Sequence, residues 1–388
     1  MFEYTEYSLW MGIILRYSIV KGGYVEVYGI SVRQSLCRKG EKVCGFLNLP
    51  FTEDELPVTL IYGQEEGHTV LVDGGIHNAE YVGIECVTGL AAKLQPKDIK
   101  GILILLHIVN VNGFKARTVS VSAEDGKNLN RVFPGDANGT YTDKLAYFIE
   151  KEIFSKIDYY IDVHNGDWFE DLTPFIYCVG NAPEETVAEA ERMAQAADMP
   201  FYVKSQSGKG GAYNYAGTLG IPSVLIERGC NGMWSEEEVA ASQKDVKNIL
   251  RRIGMLKTRP TLAEMQMRVP KHMNHAHYVD SEKAGCWFPK KKAGQIVKAG
   301  ELLGELKDYF GNVIEEFRLK EDAIILYQTI SYSVPENSPL IAYGHYDICI
   351  DDMGNTHQHT HDELHKHRKE HYDDHAGIHS REMWEDMI

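Results

Sequence analysis

Between residues 68 and 256 the chain alternates short apolar runs with longer stretches of helical period, and this alternation limits the fold more than any other feature. "HTVLVDGG" reads as a buried strand. "EYVGIECVTGLAAKL" reads as the helix after it, with Val82, Cys86, Val87, Leu90 and Leu94 on one face. "KGILILLHIVN" is a second strand, and "TDKLAYFIEKEIFSKI" a helix whose cap is expected at Thr142. "DYYIDVH" and "TPFIYCVG" continue as strands, "APEETVAEAERMAQAADM" as a helix and "PSVLIERG" as a further strand. Ser235 and Glu238 then make a capping-box pattern at the head of "EEEVAASQKDVKNILRRIG". The apolar runs are too continuous for a sheet with one wet face, so helices must cover both. The expected fold class is α/β: a mostly parallel or mixed sheet flanked by helices, with a smaller all-β domain after it.

The texture changes after about residue 260, where Gly285, Gly294, Gly300, Gly304 and Gly311 punctuate short β-like runs. The expected organisation is a β-rich N-terminal segment over 1–50, packed on an α/β domain over 51–260. A small β-barrel or sandwich follows over 261–347, then a polar tail over 348–388. The tail carries eight of the sixteen histidines, with His357, His359 and His361 at alternate positions. Such a tract has incidental affinity for Zn²⁺, Ni²⁺ or Cu²⁺. "GQIVKAGELLGEL" resembles half of a biotinyl or lipoyl motif, but Lys320 in "RLKEDA" lacks the flanks of a modified lysine.

A net charge of −16 argues against nucleic acid and anionic membranes as partners. No apolar run is long enough to span a bilayer. The N-terminal patch begins acidic and is broken by Arg16, so a strand or helix is expected there rather than a signal peptide. Seven scattered cysteines without a CxxC pair point to a reducing compartment, hence a cytoplasmic location. A homodimer is the expected assembly.

The chemistry-bearing residues fall where the apolar runs end. In "LVDGGIHNAEY", His77 and Glu80 stand three apart between a strand and a helix, with spacing that suits two ligands of one metal ion. Alone, this pair is as readily two polar loop residues. His164, after "YYIDV", occupies the same kind of strand end and supplies a third ligand. Glu227 ends "PSVLIE" and is a candidate base for a metal-activated water, or else a salt-bridge partner of Arg228. In the long polar connection "NGFKARTVSVSAEDGKNLNRVFPG", Arg117 and Arg131 are candidates for a carboxylate or an oxyanion, and Asn130 offers an amide.

Taken in order, "GIHNAE", Arg117, "DGKNLNRVFPG", "DVHNGD" and "IERG" resemble the zinc carboxypeptidase superfamily, and within it the succinylglutamate desuccinylase/aspartoacylase branch, over roughly residues 55 to 345. The resemblance implies one Zn²⁺ per chain held by His77, Glu80 and His164, with Glu227 as general base and acid. It also implies that Arg117 polarises the scissile carbonyl and that Asn130 and Arg131 grip a substrate carboxylate. The implied activity is zinc-dependent removal of an acyl group from a small N-acyl amino acid or related amide. The alternative is a metallocarboxypeptidase acting on the C-termini of short peptides. Two departures stand out. Many relatives have HGDE where this chain has "HNAE", so Asn78 and Ala79 are expected to alter the rim of the site. Many also have aspartate where this chain has Asn128, an amide that would raise the basicity of a histidine ligand less.

Overall fold

The computed structural model describes residues 37–346, apart from the side chains of residues 274, 275 and 346. The N-terminal apolar patch and the histidine-rich tail lie outside the described residues. In chain order the elements are β1 (Lys42–Asn48), β2 (Glu55–Tyr62), β3 (Glu65–Gly74), α1 (Tyr81–Lys93), β4 (Lys100–Leu106), α2 (Val111–Ala116) and α3 (Tyr141–Glu152). There follow β5 (Tyr159–His164), β6 (Glu170–Leu172), β7 (Phe175–Val179), α4 (Glu184–Gln195), β8 (Phe201–Ser205), α5 (Ala212–Thr218), β9 (Ser223–Glu227), α6 (Glu236–Arg252) and α7 (Leu262–Met265). The last part holds β10 (Lys271–Ser281), β11 (Gly285–Pro289), β12 (Ile296–Val297), β13 (Leu302–Lys307), β14 (Val313–Arg318), β15 (Ala323–Thr329), β16 (Ser333–Val334) and β17 (Ser338–Tyr346).

The large sheet runs β1-β2-β4-β3-β5-β9-β7-β8-β10-β17-β15-β12, with β6 paired to β15. Its centre, β4-β3-β5-β9, is parallel, whereas β1, β2 and the β7–β9 pair bring in antiparallel neighbours, so the sheet is mixed. The parallel strands are the continuous apolar runs, and Val70, Leu71, Val72, Leu103, Leu105 and Ile161 are wholly buried, as a sheet covered on both faces requires.

Register positions the strand ends. Gly74 of β3 lies opposite Val163, and His164 of β5 lies opposite Glu227 of β9. Three parallel carboxyl ends therefore meet along one edge, where α/β sheets place their crevices. Two glycines let α1 start directly above that edge. Gly75 holds φ of 72°, turning the chain out of β3. A Cβ on Gly83 would stand 2.2 Å from the Val163 carbonyl oxygen, so only glycine lets α1 pack this close to β5.

Two capping details are informative. The head of α3 is Thr140, whose amide donates to Asp143 (2.9 Å) and whose hydroxyl lies 2.6 Å from Asp125 and 3.0 Å from Asp143, and not Thr142 as the pattern suggested. Thr142 lies inside the helix, donating through its amide and hydroxyl to Asp125 (2.8 and 2.6 Å), which anchors the long 118–139 connection. Ser235 does cap α6, accepting from the Glu238 amide at 3.1 Å.

The sheet does not stop at residue 260. β10 adds to β8 in parallel register, Met273 opposite Val203, and β17, β15 and β12 extend it further. A separate antiparallel sheet, β14-β13-β11-β16, faces these strands across a second apolar core of Trp287, Leu303, Leu306, Ile325 and Leu340. Among the described residues no helix is long and apolar enough to cross a membrane.

Glu264 of α7 braces this junction, pairing with Lys247 and with Arg251 (2.9 Å) of α6. Burial alone would raise its carboxyl, but Lys247, the Thr261 amide and Arg251 outweigh it and hold it down to about 2. A folded value below the unfolded one gives stability that is full above the ordinary glutamate range and lost as the pH falls toward about 2. Glu264→Gln is expected to cost about 1 kcal/mol near neutral pH, allowing for solvent screening of the pairs. Urea unfolding of both proteins at neutral pH and near pH 3 checks this, because the difference must shrink in acid.

Candidate active site

Glu80 stands at the head of α1 and is buried. Its carboxylate joins two imidazoles: Oε1 lies 2.7 Å from His77 Nδ1 and Oε2 lies 2.7 Å from His164 Nδ1. The two rings are edge to face with centroids 4.9 Å apart. One ligand atom from each of the three residues lies within 4.8 Å of the others.

Behind each ring stands an oxygen. Asn128 Oδ1 is 3.1 Å from His77 Nε2, and Asp162 Oδ1 is 2.8 Å from His164 Nε2. This leaves both Nδ1 atoms facing the shared centre, in the manner of metal-ligating histidines oriented from behind. Asn165 fixes the two halves together. Its Oδ1 accepts from the amides of Val82 and Gly83 (2.9 and 3.3 Å) at the start of α1, and its own amide donates to Glu80 Oε2 at 3.2 Å.

The charge around this centre is lopsided. Glu80, Asp162, Asp167, Glu170 and Glu227 all act on it electrostatically. Burial would raise the Glu80 carboxyl, but His164 and His77 hold it down to about 2. Burial would lower the His164 imidazole, but Asp162 and Glu80 push it well up. Burial and then the neighbouring carboxylates raise Glu170 to about 8 and lift Glu227 well above the usual range. Asp73, paired across strands with Asp162 and bonded by the Tyr160 hydroxyl at 2.9 Å, is likewise pushed well up, first by burial and then by Asp162. Carboxylates held this close either keep a proton or share a cation. Two imidazole nitrogens and one carboxylate form a donor set that suits Zn²⁺, so the residues fit the ion.

Glu227, at the end of β9, is next to His164 in register. Its neighbour Arg228 points to the opposite face and pairs with Asp245 of α6 (Nε to Oδ2, 2.8 Å), so Arg228 is engaged away from Glu227. Asn130 is buried, and its Oδ1 accepts from the Ala212 amide at the start of α5 (2.8 Å), leaving its amide nitrogen as the group to offer a ligand. Arg131 is exposed beside it and acts on Glu170 and Tyr327. Arg117 closes α2 in a left-handed conformation, φ 58°, and is exposed. Its loop is tied to the HNAE turn. Asn78 Nδ2 donates to the Thr118 carbonyl and hydroxyl, Asn110 Nδ2 donates to Asn78 Oδ1 (3.1 Å), and the Ala79 amide donates to Val119 O (2.9 Å). Asn78 and Ala79 are therefore buried bolts for the arginine loop, not rim residues.

Several members were not singled out from sequence. Asp162 carried a usable signal, standing two before His164 on the same strand face. Asn165 followed the histidine directly. Asp167 and Glu170 had no such signal. Tyr177, Tyr278 and Tyr327 come from separated strands and form an aromatic wall. The Tyr177 and Tyr278 hydroxyls are 3.0 Å apart, and Tyr327 feels Glu170, Glu227 and Arg131. Of the three residues that the sequence does offer as pocket-wall candidates, in "SGKGGAYNYAGTLG", Tyr213 is buried on α5 and stacks on Tyr177 at 6.2 Å, Asn214 is buried beside it, and Lys209 is exposed.

The model of the succinylglutamate desuccinylase/aspartoacylase catalytic domain matches residues 66–253, which hold His77, Glu80, His164 and Glu227. Residues 66–253 belong to that family. Within the curated proteins, an N-alpha-acetyl-L-2,4-diaminobutyric acid deacetylase of Halomonas elongata is 26% identical over 313 residues, 75% of this chain and 87% of the relative. The product-bound ectoine utilization protein EutE (DoeB) of Ruegeria pomeroyi superposes with a TM-score of 0.72 at 27% identity, covering 81% of this chain and 98% of that one. A succinylglutamate desuccinylase structure from Silicibacter sp. TM1040 has the same fold, with a TM-score of 0.72 at 24% identity over 82% of this chain and 99% of that one. The family is one of hydrolases that act as deacylases.

The oxygens behind the rings make a paired prediction. Asp162→Asn should weaken zinc binding about 10–100-fold, whereas Asn128→Asp should strengthen it, because a carboxylate raises imidazole basicity more than an amide does. Competition with a chromophoric chelator measures both.

Proposed function

We propose that this protein is a zinc-dependent amidohydrolase that removes the acyl group from a small N-acyl amino acid or closely related amide. The carrying observation is the Glu80 carboxylate set between His77 Nδ1 and His164 Nδ1, with Glu227 on the adjoining strand end. His77, Glu80 and His164 would hold one Zn²⁺ per chain. When bound, the ion supplies a Lewis acid for the amide carbonyl and lowers the pKa of water.

The chain's own groups carry the rest. Glu227 takes a proton from the attacking water and passes it to the departing nitrogen. Burial and the neighbouring carboxylates raise its proton affinity, so a cation at the Glu80 centre would be what lets it start ionised, as a base must, and the proton it gains is then available to the departing nitrogen. Arg131 and the Asn130 amide nitrogen hold the substrate's carboxylate by charge-assisted hydrogen bonds. Arg117 approaches the carbonyl oxygen as negative charge develops there. Tyr278 and Tyr327, close enough to Glu227 to interact with it electrostatically, would restrict access to it and so favour a small ligand over a long peptide. The activity named for the Halomonas relative, deacetylation of an N-acetylated diamino acid, supports an acyl-amino-acid substrate here.

Metal analysis of the purified protein, together with turnover on N-acetyl and N-succinyl amino acids and on short peptides, tests the reading. Glu227→Gln should retain zinc while losing about 10²–10⁴ in kcat. Arg131→Ala should raise KM about 10–100-fold. His77→Ala should lose the metal. Turnover of peptides without turnover of acyl amino acids would overturn the substrate assignment, and full activity in Glu227→Gln would overturn the mechanism.

A further inference from the structure

We infer that a second divalent transition-metal site lies in the C-terminal β region, built from His277, Glu321 and His345. One ligand atom from each of these residues lies within 4.8 Å of the others. The three arrive from different elements. His277 is on β10, His345 is near the end of β17, and Glu321 is in the turn that leads into β15. β10 and β17 are neighbours in the large sheet, and β15 pairs with β17 on its other side, so sheet hydrogen bonding fixes the two histidine positions and brings the Glu321 turn alongside them.

The state of His345 carries the argument. Its Nδ1 lies 2.6 Å from the backbone oxygen of Asp322. A carbonyl can only accept, so the proton of the neutral ring sits on Nδ1 and the lone pair on Nε2. That Nε2 is buried, forms no aligned hydrogen bond within the described residues, and lies 3.1 Å from Glu321 Oε1. With that ring neutral, an imidazole lone pair and a carboxylate oxygen face one space with no donor between them. A backbone-bonded Nδ1–H with a free Nε2 is the arrangement of a metal-ligating histidine.

The third group is oriented as well. His277 stacks on Tyr343 with centroids 5.2 Å apart and stands edge-on to His345 at 5.4 Å. Tyr343 and His345 alternate along β17 and so share a face. In a tetrahedral zinc site with bonds of about 2.0–2.2 Å, ligand atoms lie about 3.4 Å apart, a closure that the exposed His277 and Glu321 side chains can make. Two imidazoles and one carboxylate favour Zn²⁺, Ni²⁺ or Cu²⁺ over Mg²⁺ or Ca²⁺. An ion held there would clip the first and last strands of the region, β10 and β17, to the Glu321 turn. None of these residues belongs to the Glu80 centre, so this site stands whether or not the deacylase reading holds.

The test is zinc binding to the full-length, metal-stripped protein by equilibrium dialysis, with thermal unfolding followed at the same zinc concentrations. Wild type, His345→Gln, Glu321→Gln, His77→Gln/His164→Gln and a variant with the eight tail histidines changed to glutamine are compared. His345→Gln should lack one equivalent of zinc and part of the zinc-induced rise in Tm, with its zinc-free Tm and turnover unchanged. Glu321→Gln, at an exposed position that keeps both rings, should bind that equivalent at least tenfold more weakly. His77→Gln/His164→Gln should lose a different equivalent, and the tail variant should keep both. The inference is overturned if His345→Gln and Glu321→Gln bind as much zinc as wild type with the same affinity, which would mean that a proton alone joins His345 to Glu321. It is equally overturned if the equivalent disappears with the tail histidines.

Discussion

One carboxylate holds the site together. Glu80 sits where α1 begins, and its two oxygens reach a histidine on its own turn and a histidine on the next strand. Nothing local would keep these side chains in place, because two imidazoles and a buried acid are costly to gather. The backbone does it instead. Parallel register sets the ends of β3, β5 and β9 side by side, Gly83 lets α1 rest on β5, and Asn165 bonds both the helix start and the carboxylate through its side chain and amide. Misplacing any of these would leave a buried charge without its counterpart.

The surrounding acids give that arrangement its direction. Burial and mutual repulsion lift Glu227 and Glu170, while the imidazoles hold Glu80 down. Carboxyl groups within one cleft are thus driven apart in proton affinity, the pattern from which acid and base roles arise. The neutral Asn128 fits the same frame. It accepts from the Asn130 amide as well as facing His77, so it spans the ligand shell and the residue placed to meet a substrate.

The α/β alternation was legible because parallel strands buried on both faces must be uninterrupted runs such as "ILILL", and the helices between them carry a helical period. His77, Glu80, His164 and Glu227 were legible for a related reason, since each terminates such a run. Short elements were harder. β8 and α5 were not distinguished within the segment around "SGKGGAYNYAGTLG", because α5 takes its cap from Asn130, 82 positions away, and not from its own sequence. The head of α3 was misread by two residues, since Asp125 draws in both Thr140 and Thr142 and only the reciprocal bond of Thr140 with Asp143 marks the cap. Glu170, Tyr177, Tyr278 and Tyr327 were invisible for a simpler reason. Their importance arises from strands that meet only in three dimensions.

The hydrogen-bonded path from β1 to β12 passes through β8 and β10 without a break. Tyr177, Tyr278, Tyr327, His164 and Glu227 are thus all mounted on strands of one sheet. On that side the site has no hinge in the sheet, and what can move is the connection that carries Arg117, Asn130 and Arg131. On the strand side, drift in ligand preference among descendants of this chain would come through exchange of side chains such as Tyr278 and Tyr327, and not through strands moving apart.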